Sequence, residues 1–193
     1  MALDRIKVPN IILTGGTASG KTTVGFQLSR LMGFGFLDLD ACIEAKAGKP
    51  IADIFKDGGE PLFRDIEGDT IEALASLKNH VVVIGAGAVE SVTSRAKLKQ
   101  LGILIWLATP VDNIVARLIM KPDELRARPL LAEAVTIEDR ATRGDFLRSK
   151  LSELMSLRSS GYEEADVVLA DGYATPETGA YLLKSMLSEQ YGM

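Results

Sequence analysis

The stretch Gly15-Gly16-Thr17-Ala18-Ser19-Gly20-Lys21-Thr22 fits G-x-x-x-x-G-K-T, and no other feature narrows so sharply what this chain can fold into. It lies between an apolar run, Asn10-Ile11-Ile12-Leu13-Thr14, and a helix-periodic stretch that begins at Lys21, so its order is strand, loop, helix. In that setting the glycines let successive backbone N–H groups turn inward, and the helix offers its positive N-terminus to an anion. Lys21 adds a charge within reach of β- and γ-phosphates, and Thr22 offers a hydroxyl to Mg2+. With Thr23, residues 15–23 form the expected nucleotide-binding segment. A nucleoside triphosphate is the expected ligand.

Along the chain, short β-branched runs alternate with longer helical patterns. Strands are expected at 10–14, 35–39, 80–84, 103–107 and 166–169. Helices are expected at 21–32, 41–47, 51–55, 61–77, 92–101, 110–118, 137–157 and 176–189. Val81-Val82-Val83-Ile84 and Ile103-Leu104-Ile105-Trp106-Leu107 are apolar without alternation, as in strands covered on both faces of a parallel sheet. This βαβ series predicts a three-layer α/β domain, doubly wound with right-handed crossovers and spanning residues 1–193 without a linker; composition and periodicity reach only as far as a small P-loop enzyme. Trp106, inside an apolar run, reads as core.

Composition sets the bounds on partners. A net charge of −4 over 193 residues leaves no basic footprint for nucleic acid. The first seven residues carry both signs of charge and the apolar run behind them is only a strand long, so neither a signal peptide nor a membrane anchor is expected, and the cytoplasm is the default location. Cys42 and His80 are the only cysteine and the only histidine, which excludes an internal disulfide and a Cys/His zinc cluster. Neither has a partner motif, so both read as packing or surface residues.

Ligands of open parallel sheets collect beyond the carboxyl ends of the strands. After the second expected strand comes Asp38-Leu39-Asp40, and after the third Gly85-Ala86-Gly87-Ala88. Alternation in an extended segment would aim Asp38 and Asp40 at one place. One such acid can hold Mg2+ directly or through water and the other can accept a proton from an attacking hydroxyl. The alternative is that Asp40 caps the helix at 41–47.

Five elements follow the phosphate loop in order: residues 34–40 with Asp-x-Asp, Phe63-Arg64-Asp65-Ile66-Glu67, the Gly85-Ala86-Gly87 turn, Arg128-Pro129-Leu130-Leu131, and Arg158 four residues before Tyr162. Together they resemble the shikimate kinase family over roughly residues 10–189. The resemblance implies a three-layer α/β/α P-loop kinase with a five-stranded parallel sheet of the nucleoside-monophosphate-kinase type and a mobile lid at about 119–135. It also implies Mg2+-assisted, in-line transfer of the γ-phosphoryl group of ATP to the 3-hydroxyl of shikimate. On it, Asp40 contacts the acceptor hydroxyls and takes the proton, Asp38 associates with Mg2+ beside Thr22, and Arg64 and Arg158 grip the acceptor's carboxylate. The physical reason for arginine is that a planar fork matches a planar carboxylate as lysine does not; an isolated arginine would otherwise read as a solvated surface charge. Glu67, one turn from Arg64, can steady that guanidinium. Arg128 matches the lid arginine that closes over the phosphates, and Arg117 is placed beneath the adenine. The acceptor turn comprises Gly85, Ala86 and Gly87, and the catalytic set Asp40, Lys21 and Arg128.

Two departures stand out. The family turn is Gly-Gly-Gly, whereas the middle residue here is Ala86, whose methyl can crowd the acceptor. The segment between Arg117 and Arg158 is long and carries the charged run Glu138-Asp139-Arg140-Ala141-Thr142-Arg143-Gly144-Asp145, which reads as an elongated helix behind the lid or an oligomer contact. The expected partners are ATP and a small carboxylic acid, and the chain is expected to be a monomer or weak homo-oligomer. The alternatives are a kinase of another hydroxylated acid such as gluconate, or a ligand-sensing module without turnover; retention of Lys21, Thr22, Asp38, Asp40 and Arg128 together argues against the sensor.

Overall fold

A computed structural model describes residues 9–121, 123–126 and 128–193. The expectation for the first seven residues, and Pro122 and Ala127 within the expected lid, lie outside the described residues. Five strands, β1 (Asn10–Gly15), β2 (Gly35–Asp38), β3 (His80–Val83), β4 (Gly102–Ala108) and β5 (Val167–Ala170), form one sheet in the order β2-β3-β1-β4-β5. Every pairing is parallel. The helices are α1 (Lys21–Met32), α2 (Leu39–Ala47), α3 (Ile51–Ala73), α4 (Val92–Leu101), α5 (Val111–Met120), α6 (Asp123–Arg126), α7 (Arg140–Glu163) and α8 (Pro176–Tyr191). The expected three-layer architecture is borne out.

The unbroken apolar runs have a direct explanation. Ile12, Val82 and Leu104 point into a core shared with Leu39, Ile43, Ile54 and Leu98, while Ile11, Val81, Val83 and Ile105 point into the opposite core with Val24, Leu28, Leu183 and Leu187. Side chains still alternate, but each face meets helices, so hydropathy does not. Only edge strand β5 shows the alternation, with Val167 and Leu169 buried and Val168 exposed. Gly25 seats α1 on the sheet: a Cβ there would lie 2.8 Å from Val83 and 2.9 Å from Leu13. Asn10, buried at the start of β1, donates to the carbonyls of Leu77 and Leu101 and accepts from the His80 N–H, tying the entrances of β3 and β4 together.

Two long helices depart from expectation. The helices expected at 51–55 and 61–77 are one element, α3, kinked where Gly59 takes a left-handed backbone (φ 66°) that other residues rarely adopt. α7 starts later than 137, where the Asp139 carboxylate accepts from the Thr142 N–H at 2.7 Å, and runs six residues past 157. Its last turns bury Arg158, Gly161 and Tyr162 rather than aliphatic residues, so the apolar period fades before the helix ends. α7 packs on α5 and on a 3₁₀ segment, Pro129–Thr136, around Ile114, Leu118, Leu131, Leu147 and Leu151. The long charged segment is therefore an elongated helix behind the expected lid. Trp106 packs partly buried against the core and stacks face to face on Tyr162, ring centroids 5.3 Å apart. No helix among the described residues is long and apolar enough to cross a membrane.

Candidate active site

The carboxyl ends of β1, β2 and β3 open into a cleft of about 1000 Å3. Residues 17–23, Asp38, Asp40, Arg64, Gly85, Ala86, Gly87, Arg117, Arg128 and Arg158 all line it. Gly15 and Gly16 do not. A Cβ at Gly15 would sit 2.7 Å from the Leu107 carbonyl, and one at Gly16 3.0 Å from Ile114, so these two positions are glycine because the loop passes tightly over β4 and α5. Their carbonyls nevertheless accept from Lys21 Nζ at 3.0 and 2.8 Å. Within the loop Ala18 (φ 57°) and Gly20 (φ 99°) take left-handed backbones, the kind of turn that gathers N–H groups toward an anion. Burial pulls the Lys21 ammonium down to about 8, against the opposing pull of Asp40. An anionic ligand would stabilise the charged form and draw that value back up.

The two acids meet as expected, but not by strand alternation. β2 stops at Asp38 because Leu39 already belongs to α2 and is fully buried. Asp38, not Asp40, is the helix cap: its Oδ1 accepts from the Asp40 N–H at 3.1 Å. That leaves the Asp40 carboxylate in the first turn without a hydrogen bond among the described residues. Burial and then neighbouring Asp38 push the Asp40 carboxyl above the usual carboxylate range, with Lys21 pulling the other way. Such a group takes up a proton more readily than a solvated aspartate. Thr22 Oγ1 donates to Asp38 Oδ2 at 3.1 Å. A hydroxyl and a carboxylate at that distance are the hard oxygen donors that Mg2+ takes beside phosphate oxygens and water.

Across the cleft, Arg64 and Arg158 come from α3 and α7. Arg64 Nη1 donates to Glu67 at 2.8 Å, and its Nε and Nη2 to Glu60 at 3.2 and 2.9 Å. Burial works against the Arg64 charge, but these carboxylates outweigh it and hold the guanidinium above its ordinary range. Glu67 Oε2 steadies Arg64, as its spacing suggested, while its buried Oε1 has no partner among the described residues. Burial pushes the Glu67 carboxyl up. The turn after β3 threads between these groups: a Cβ at Gly85 would lie 3.0 Å from Asp40 Oδ1, and one at Gly87 2.5 Å from Arg64 Nη2. Ala86 needs no left-handed backbone, and its carbonyl accepts from the Tyr162 hydroxyl at 3.2 Å.

Arg117 lies under the phosphate loop, donating to the Ser19 carbonyl at 3.0 Å, with Asp171 at 3.8 Å. Arg128 precedes the 3₁₀ segment and pairs with Glu124 at 3.2 Å. Sequence reading missed Glu60, Glu90 and the 173–176 stretch that lines the cleft, and it gave Tyr162 no role beyond its spacing from Arg158. The 173–176 stretch was accessible, since those residues follow the fifth strand as the others follow theirs. Cys42, half-buried on α2, has its thiol pushed up by burial and Asp38, which suits a packing residue. The His80 ring lies 2.8 Å from the Lys78 carbonyl, away from the cleft.

The family model described as shikimate kinase matches residues 17–187. A shikimate kinase of Chlorobium chlorochromatii is 36% identical over 188 residues, 95% of this chain and 90% of the relative. One of Persephonella marina is 36% identical over 86% of this chain and 92% of the relative. The structure of shikimate kinase from Acinetobacter baumannii in complex with shikimate superposes with a TM-score of 0.80 at 35% identity, covering 95% of this chain and 96% of that one.

Proposed function

This chain belongs to the shikimate kinase family, and on that premise we propose that it transfers the γ-phosphoryl group of ATP to the 3-hydroxyl of shikimate. The observation that carries the proposal is one cleft holding a phosphate loop, a carboxylate with raised proton affinity and two arginines from distant segments. The loop N–H groups and Lys21 receive the β- and γ-phosphates, with the adenine between Arg117 and residues 173–176. Arg64 and Arg158 take the acceptor's carboxylate, which turns its hydroxyls toward Asp40 and the Gly85–Gly87 turn. Asp40 accepts the hydroxyl proton as the oxygen attacks the γ-phosphorus in line, and Lys21 and Arg128 neutralise charge on the transferring group. Thr22 and Asp38 would hold Mg2+, which when bound draws charge from the β- and γ-phosphate oxygens. Residues 119–135 form the lid. The protein works in the cytoplasm as a monomer or weak homo-oligomer.

A coupled ADP-release assay with shikimate, quinate and gluconate tests the assignment: turnover is expected with shikimate in clear preference to the others, and turnover confined to gluconate, or none despite ATP binding, would overturn it. Arg64→Lys and Arg158→Lys keep the charge but lose the bidentate fork, so each is expected to raise KM for shikimate by about tenfold or more while moving KM for ATP less than about threefold. Equal effects on both substrates would mean that these arginines are not the carboxylate grip. Ala86→Gly is expected to leave shikimate turnover within about twofold, because the Ala86 backbone is already compatible with a side chain. The same change frees the unfolded chain and should cost ~0.4–1 kcal/mol in denaturant unfolding. A rise in kcat/KM would instead show that the methyl crowds the acceptor.

A further inference from the structure

Glu90 stands three residues beyond the acceptor turn and spans both arginines. Arg158 Nε donates to Glu90 Oε1 at 2.7 Å, and Arg64 Nη2 lies 3.9 Å from Glu90 Oε2. One carboxylate thus faces two guanidinium groups whose residues are 94 positions apart in sequence, 64 and 158. This is the geometry a bound carboxylic acid would adopt. Arg64 has no idle edge, since Glu60 holds Nε and Nη2 while Glu67 and Glu90 face Nη1 and Nη2. Arg158 exposes only 5% of its side chain, which leaves little surface for a second carboxylate beside Glu90. The two guanidinium charges therefore already meet three carboxylates, Glu60, Glu67 and Glu90, and a further anion arriving without a departure would face net repulsion.

Glu67 cannot leave readily, with a side chain that is 2% exposed. Glu90 can: its side chain is 36% exposed, and apart from the two arginines it is held only through its backbone among the described residues. Its N–H donates to the Gly87 carbonyl at 3.0 Å, and its carbonyl accepts from buried Arg95 at 3.1 Å. The main chain stays beside the acceptor turn while the carboxylate is free to rotate outward.

We propose that Glu90 is an internal competitor for the acceptor's carboxylate, held on Arg64 and Arg158 until the substrate displaces it, and that it thereby sets acceptor affinity. The inference rests on the reading that these arginines receive that carboxylate. A competing state populated about 70–90% of the time weakens apparent affinity about three- to tenfold. Holding the two arginines in place also keeps a pair of like charges from splaying apart, which gives the contact a structural use before substrate arrives.

The test is Glu90→Gln, which keeps the shape and removes the charge. KM for shikimate is expected to fall about three- to tenfold with KM for ATP within about twofold, and shikimate alone should raise Tm more in the variant than in the wild type. The methyl ester of shikimate, which has no carboxylate to exchange, should gain nothing from the substitution. Because Arg158 loses its ion partner, Glu90→Asp is measured alongside; it keeps the charge but falls a methylene short, and a smaller decrease in KM is expected. An unchanged KM for shikimate, an increase, or an equal gain for the ester would each overturn the proposal. A wild type that phosphorylates shikimate while any of these results is found leaves the assigned reaction standing; a wild type inactive on shikimate fails the reaction itself.

Discussion

Lys21→Met is expected to lower kcat by about 10³-fold or more, roughly 4 kcal/mol of transition-state stabilisation, while the protein remains folded. Lys21 Nζ is held 2.8–3.0 Å from the carbonyls of Gly16 and Gly15, at the mouth of the loop where the β- and γ-phosphates are proposed to lie. Methionine fills the same length without charge, so charge on the transferring group loses its nearest fixed cation. Stability should not suffer. Lys21's proton affinity in the folded chain is depressed to about 8, so its favourable contribution appears only above the ordinary lysine range and is lost as pH falls through about 8. At neutral pH the charged group is a net cost to the fold, and Tm of the variant should equal or exceed that of the wild type. Turnover within about tenfold of wild type in the ADP-release assay would remove Lys21 from the phosphate site.

Asp40→Asn should lower kcat by about 10²-fold or more with ATP affinity retained, since asparagine keeps the shape but cannot accept the hydroxyl proton. Two pH measurements sharpen the expectation. The acid limb of kcat/KM in the wild type should lie above the usual carboxylate value of about 4, because burial and Asp38 raise the Asp40 carboxyl. A carboxyl raised by folding contributes stability below its unfolded value, and that contribution is lost as pH rises through the folded value. Ionised Asp40 is therefore unfavourable to the fold at neutral pH, and Asp40→Asn should unfold at the same or a higher temperature there, with the difference vanishing below about pH 4. Were Asp40 a helix cap, the variant would lose stability and keep kcat; Asp38 holds that position instead.

The sequence by itself determined the parts of this protein whose signals are local. Gly15 to Thr22 carries its own turn chemistry and abuts one strand and one helix, so loop, β1 and the start of α1 are all legible within 23 residues. All five strands were legible for the same reason: hydropathy period and length are properties of short windows. Arg64, Arg117, Arg128, Arg158, Asp38, Asp40 and Glu67 were found through spacing and family resemblance. What sequence could not supply was how distant groups pair. Glu90 reaches Arg158 across 68 residues, and the Tyr162 hydroxyl reaches the Ala86 carbonyl across 76. Those contacts exist only because α7 runs past its apolar period and lays its last turns against the loop after β3.

Tertiary structure also decided a question that local reasoning left open. Asp-Leu-Asp reads as the end of a strand that aims both acids at one place or, with Asp40 as the cap, as the start of a helix at 41–47. Fully buried Leu39 and a cap hydrogen bond from the Asp40 N–H to Asp38 selected the helix. A period of two or 3.6 residues is written in the chain itself, whereas the partner of a charged side chain is set by strand order and by which helix covers which face.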